Sequence, residues 1–302
     1  MAAGTTSSSV QQLYADIVAD LVPYYMDAVL LPNQQIIRNS LVVAGSTGSQ
    51  VRFPLTNTYV DAVSVSEGAS IIGTASSQSN FSPTAANVTF SKRGVATDVS
   101  EESLEDGGLE VVRNAVITRL SGGLAQATDK AGLLAAKAGS TLADTGELGA
   151  NADFTLNFVM SPEAMAYAAK REPSVRMWYN PDTDVHEMRA TVRNGFTALR
   201  GNFIGKISTR DDSNFAASAN VVALAKSTSL LRAQNAPTGL DGSYIGVISP
   251  NFEFAINDQI ALAGGTTIGS LSDLGNNALR DASIALIAGV TLFRSNNLPD
   301  AS

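Results

Sequence analysis

The chain has 302 residues, of which 44% are hydrophobic and 16% charged, with a net charge of −8, no cysteine and a single histidine. That length allows two or three lobes around more than one core. Disulfides, thiolate metal sites and cysteine nucleophiles are excluded. An acidic balance with no basic run longer than Lys92-Arg93 or Lys170-Arg171 argues against a nucleic-acid groove.

The start, MAAGTTSSSV, lacks the basic and apolar regions of a signal peptide, and the longest apolar stretch, Ala282 to Phe293, is well short of the ~20 residues that cross a bilayer. A soluble protein made in the cytoplasm is therefore expected. The scarcity of charge points to a surface partly covered by partners.

Residues 1–50 read as an arm with one thin helix. Val10, Leu13, Tyr14, Ile17, Val18 and Leu21 keep helical spacing, then Pro23 breaks it. Residues 50–99 change character. Val51, Phe53 and Leu55 alternate with polar residues, as do Val63 and Val65, and Val88 and Phe90 resume the alternation beyond a polar tip at residues 76–79. This predicts a long two-stranded ribbon, which is marginal alone in water and gains stability by lying on a neighbour.

Residues 100–138 predict the longest helix. Ser100 is placed as its cap and Glu101 and Glu102 in its first turn, and the stripe runs Leu109, Val112, Val116, Leu120, Leu124, Ala127, Ala131, Leu134. Gly122-Gly123 inside it cost about 2 kcal/mol of helix propensity, so tertiary packing must hold that turn. After a polar connection, Phe154 to Met160 reads as a strand, and Ser161-Pro162 as the start of a helix running to Glu172. Val175, Met177 and Tyr179 alternate, Asn180-Pro-Asp turns, and Met188, Ala190 and Val192 return, with a further strand at Phe203 to Ile207. Beyond a soft boundary at residues 210–220, a helix is predicted from Val221 to Arg232 and a short buried strand from Tyr244 to Ile248. Ser249-Pro250 opens another helix, and Ile284 to Phe293 ends the chain as a strand or strand pair.

Signals for catalysis are weak. His186, between Asp184 and Glu187, sits at a polar turn and is expected to be exposed. The glycines at residues 264–269 lack the Lys-Ser or Lys-Thr that completes a phosphate loop. Glu101/Glu102, Glu105/Asp106 and Asp211/Asp212 lie at helix starts or in loops, where capping suffices. No catalytic, cofactor-binding or metal-binding residue is predicted, and no cofactor. An arm, a projecting ribbon and a rod helix are elements that do not bury themselves. They suit a subunit that completes its core with neighbours.

In their order, these elements resemble the major capsid proteins of tailed bacteriophages of the Hong Kong 97 type. The carrying residues are Gly48-Ser-Gln-Val-Arg-Phe-Pro54, Val65-Ser-Glu-Gly68 and Val99-Ser-Glu-Glu-Ser-Leu-Glu-Asp106. The resemblance implies an α+β fold with an N-arm (1–50), an extended β-hairpin loop (51–93), a peripheral domain (94–212) with its spine helix at 100–138, and an axial domain (213–302). The second half departs from the family's usual order, since Tyr244-Ile-Gly-Val-Ile-Ser-Pro250 through Ala288 to Pro299 ends the chain rather than preceding the last peripheral strands. A circularly permuted version of the fold is therefore expected.

The resemblance further implies self-assembly into pentamers and hexamers of an icosahedral head in the virion. Arg52, Glu67, Lys92 and Arg93 become candidate contacts between subunits. Packaged DNA would meet the inner face only loosely, with no membrane involved. The ribbon from Phe53 to Ser91 has no lysine, so a covalent loop cross-link is not expected; non-covalent contacts or a separate cement protein would hold the shell. Scaffold and portal would be separate chains. The rival readings are an encapsulin-like compartment shell, a surface-layer protein and a hydrolase using His186.

Overall fold

A computed structural model describes residues 37, 39–43, 48–55, 66–67, 84–100, 102, 109–146, 154–183, 185–210, 221–239, 241–263 and 286–300. The arm helix at Val10 to Val22, the ribbon tip and the glycines at 264–269 lie outside them. The described chain is α+β, with eleven strands and three α-helices.

Alternation marks two of the four strands of the first sheet. Strand β1 is Asn39–Val42, β4 is Ser91–Ser100, β6 is Met165–Asn180 and β7 is Val185–Ala198, in the order β1-β6-β7-β4. β6 and β7 form a hairpin closed at Asn180, whose side-chain oxygen accepts the Asp182 amide at 3.1 Å. β4 runs antiparallel to β7 from Ser91↔Asn194 to Ser100↔Val185. Along β7, His186, Met188, Ala190, Val192 and Asn194 point inward, while residues 187, 189, 191 and 193 face the other side. The expectation of an exposed His186 is thus corrected. The turn ends before it, and its ring lies 5.2 Å from that of Tyr179 at 3% exposure.

Helix α1, Leu109–Gly139, covers the inner face of that sheet. Its 31 residues make a rod of roughly 46 Å. Val116, Ile117, Leu120, Leu124 and Ala125 pack against Val99, Met188, Ala190 and Val192. Gly123 is required there, because a Cβ on it would lie 2.8 Å from a Val95 methyl. Gly122 has nothing within 4 Å of such a Cβ. Gly122→Ala should therefore stabilise the fold by about 0.5–1 kcal/mol, while Gly123→Ala should destabilise it; urea denaturation distinguishes the two.

Three expectations about this region need correction. Ser100 is not the helix cap: it closes β4 opposite Val185, and although Glu102 is helical, the continuous helix is Leu109–Gly139 rather than 100–138. Leu134 is 54% exposed, and the stripe continues instead through Leu133 and Ala136, because the drift of a 3.6-residue turn moves the buried face there. The helix from Ser161 to Glu172 is absent. After a turn in which the Ala164 amide donates to Ser161 O at 3.0 Å, the chain enters β6. Its alanines favour a helix in isolation, but β6 lies between β1 and β7, and from Ala166 to Ala169 its backbone is paired on both sides. Pro173 falls where the β6–β7 register shifts, which is where a strand tolerates it.

The second sheet has the order β10-β11-β9-β5-β8, with β5 Phe154–Met160, β8 Ile204–Arg210, β9 Tyr244–Ile248, β10 Leu286–Ile287 and β11 Val290–Arg294. Every residue of β5 and β9 is buried, as unbroken apolar runs with cover on both faces should be. Helices α2 (Val221–Ala233) and α3 (Pro250–Ala263) contribute Leu224, Leu231, Phe252 and Ile256 to one core with Phe158, Ile204, Ile207 and Tyr244. Ser249 caps α3 as expected, its hydroxyl accepting the Phe252 amide at 3.2 Å. Buried Asn157 ties three elements. Its amide donates to Ile207 O (3.1 Å) and Thr209 Oγ1 (2.9 Å), and its oxygen accepts the Ser249 amide (2.6 Å).

The division at residues 94–212 and 213–302 does not follow the sheets. β5 and β8 come from the first range yet share a sheet with β9, β10 and β11 of the second. The chain leaves the second sheet after β5, makes the long β6–β7 hairpin in the first, and returns at β8. Leu133 and Ala136 at the end of α1 also enter the second core, so one helix spans both layers.

Near the middle of α1, Asp129 is 7% exposed, and burial pushes its carboxyl up to about 6 against the opposing effect of a hydrogen bond from Asn297. The folded state thus holds this proton more tightly than the unfolded chain does. Stability from this group is full below pH ~4 and falls as pH rises to about 6. Asp129→Asn should raise stability at pH 8 by roughly 1–2 kcal/mol and leave it unchanged near pH 3.5, as read by thermal unfolding at both.

Candidate assembly interface

The elements that leave the body are tied to it at a few points. Strands β2 (Gln50–Leu55) and β3 (Thr84–Thr89) pair antiparallel into a ribbon in the register Gln50↔Thr89 to Leu55↔Thr84. Val88 and Phe90 are buried against Ala166 and Ala168 of β6, with Val51, Phe53 and Leu199 around them. Small alanines leave room for these larger side chains. The Phe90 amide donates to Ser49 O at 2.9 Å, and Lys170 donates to Gly48 O while its ammonium stands 5.8 Å from the Phe90 ring. The base of the ribbon is thus built into the first sheet. Among the described strands, β2 and β3 form a two-stranded sheet of their own.

Exposed apolar side chains lie at two further places on the first sheet. Leu41 and Val42 lie on β1, an edge strand joined parallel to β6. Trp178 and Tyr179 lie at the far end of β6, where Arg189 stacks on Trp178 at 4.3 Å and reaches Glu187 at 3.4 Å.

The four candidate contact residues are not brought together. Arg52 is exposed on β2 opposite Asn87. Glu67 is exposed in a turn of the ribbon segment. Lys92 is exposed on β4, which belongs to the sheet rather than the ribbon, although residues 91–93 were expected within the loop. Arg93 faces inward and is half-buried, donating to the backbone oxygen of Asn194 at 3.2 Å and to its side-chain oxygen. Burial lowers its pKa from the ordinary arginine value, with Tyr167 acting oppositely. Its guanidinium is engaged within the chain.

What the sequence did not reveal is a row. β4 pairs Lys92 with Arg193, and β6 pairs Arg171 with that same Arg193, so three cations stand side by side on the outward face. They border a cleft of about 230 Å³ with Phe90, Thr191 and Val192. The two dibasic pairs, unremarkable in sequence, are brought to one place by register. Among the described residues, no group of acidic and histidine side chains could hold a metal, and no helix is long and apolar enough to cross a membrane.

No family model and no curated protein matches the chain. Solved structures do. A chain of the procapsid of bacteriophage JBD30 is similar over 97% of this chain and 100% of its own, at TM-score 0.56 and 11% identity. A chain of the bacteriophage JBD30 capsid matches at TM-score 0.54 and 12% identity, covering 86% of this chain and 89% of that one. A chain of that capsid decorated with minor capsid protein trimers matches at 0.53 and 13%, covering 88% and 90%. At this identity the likeness is one of fold: the chain has the α+β fold of these bacteriophage capsid chains.

Proposed function

We propose that this protein is the shell-forming subunit of a tailed-phage head, a non-enzymatic protein that assembles with itself into pentamers and hexamers around the genome. The observation that carries the reading is a match in fold that takes in 97% of this chain and the whole of a phage procapsid chain. Its own architecture supports the reading. A two-stranded ribbon anchored to the first sheet through Val88 and Phe90, an edge strand bearing Leu41 and Val42, and a rod helix joining two layers need neighbours to bury what they expose. The pair β2 and β3 takes the place of the base of the extended loop, and α1 that of the spine helix. The β6–β7 hairpin with α1 is the peripheral unit and the second sheet the axial one, entered before and after the hairpin, in the permuted order. Since a related fold occurs in a capsid decorated with minor capsid protein trimers, a decoration protein is a further expected partner.

Electron microscopy of the purified protein tests this. Closed icosahedral shells, with five- and six-membered capsomers, are expected. A protein that stays monomeric at high concentration would overturn the reading, and shells filled with a cargo enzyme instead of DNA in the native host would redirect it to a compartment protein.

A further inference from the structure

Like charges directly opposite one another on neighbouring strands, ~4.8 Å apart, are unfavourable unless something neutralises them. Lys92, Arg193 and Arg171 form such a row, and among the described residues none of the three side chains makes a hydrogen bond or an ion pair. Further along the same face, charges of both signs occur. Asp98 stands opposite Glu187, and Arg176 opposite Arg189, which reaches Glu187 at 3.4 Å. The surplus of positive charge is therefore local to the row and its cleft.

Among the described residues, no carboxylate pairs with the row. Residues 98–110 carry six carboxylates and no base: Asp98, Glu101, Glu102, Glu105, Asp106 and Glu110. But Asp98 is six residues along β4 from Lys92, a separation of roughly 20 Å on a strand whose ladder fixes both positions. Asp98 and Glu102 are exposed, and neither has a partner among the described residues. One end of the molecule thus carries an unpaired basic row, and a different end carries unpaired carboxylates.

We infer that the row of Lys92, Arg193 and Arg171 receives the acidic end of β4, Asp98 and Glu102, from a second copy of this chain. This contact deepens the shell reading and rests on it. Because the two patches are different, the contact is head-to-tail, and repeated by rotation it closes a ring in which each copy both gives and receives. A nucleic acid fits less well. The row is only three cations wide, an acid (Glu172) follows Arg171 in sequence, and the chain carries −8 overall, which does not suit a track along phosphates.

The test is a charge exchange, with assembly read by sedimentation at physiological salt. Arg171→Glu with Arg193→Glu should reduce the assembled fraction about tenfold, as should Asp98→Lys with Glu102→Lys. A chain carrying all four substitutions should recover assembly, because both patches are then reversed. So should an equimolar mixture of the two doubles, but only as alternating, even-membered rings. Unchanged assembly in either double variant overturns the contact and leaves the shell reading standing, as does loss in both doubles without recovery in the quadruple variant. A parent chain that never associates sinks the shell reading first. Normal assembly with loss of oligonucleotide binding in the Arg171/Arg193 variant would assign the row to nucleic acid and overturn the inference.

Discussion

Gly195→Ala is expected to destabilise the protein by about 3 kcal/mol and to abolish shell formation, although the substitution adds one methyl group to a strand. Gly195 lies in β7 opposite Ala168, where β3 crosses over the sheet. A Cβ there would fall 2.2 Å from Thr89 O and 2.8 Å from a Val88 methyl. A backbone carbonyl cannot rotate away as a side chain can. The end of β3 would have to lift, taking with it Val88 and Phe90, which are 0% and 7% exposed. The hydrogen bond from Phe90 N to Ser49 O, which closes the ribbon, depends on the same short segment. The body of the sheet should survive, so the expected signature is specific. Limited proteolysis should cut near residues 48–55 and 84–90 while circular dichroism stays near that of the parent. A variant with parental resistance to protease would show that the ribbon does not need this close approach.

The sequence was most legible where one physical pattern acts alone. Alternation in Met188, Ala190 and Val192, the unbroken apolar run of Tyr244 to Ile248, and the Ser249-Pro250 cap each correspond to an observed element. It was least legible where tertiary partners decide. Residues 165–172 have alanine-rich helical propensity, yet strands on both sides claim their backbone. His186 looked like a turn residue because the sequence does not say where the turn ends; two positions of pleat decide between solvent and core. Sheet membership was hidden for the same reason. β5 and β8 flank the long hairpin in sequence and pair with each other across it, and β5 pairs on its other side with β9, far later in the chain. The basic row was invisible altogether, because Lys92, Arg171 and Arg193 become neighbours only through the register of three strands. Of the four contact candidates read from sequence, Arg93 is the one the fold uses internally.

Leu124→Ala should cost about 3–5 kcal/mol, the full range of a buried leucine whose cavity cannot collapse. Leu124 has no exposed surface and sits in the cluster between α1 and the first sheet, with Leu120, Met188, Ala190 and Val192. Two features keep that site from relaxing. The preceding residue, Gly123, already lets the helix approach Val95 as closely as a backbone can, so α1 cannot settle further. The sheet beneath is held by the continuous β4–β7 ladder and cannot rise. Leu134→Ala on the same helix is 54% exposed and should change stability by less than ~0.5 kcal/mol. The pair separates two ways in which α1 could matter. If the rod serves the fold of the single chain, Leu124→Ala should lower the urea midpoint of dissociated subunits, and Leu134→Ala should leave it alone. If an exposed leucine on the rod meets a neighbour instead, Leu134→Ala should weaken assembly without changing that midpoint. Equal midpoints for Leu124→Ala and the parent would mean that the helix does not depend on this core.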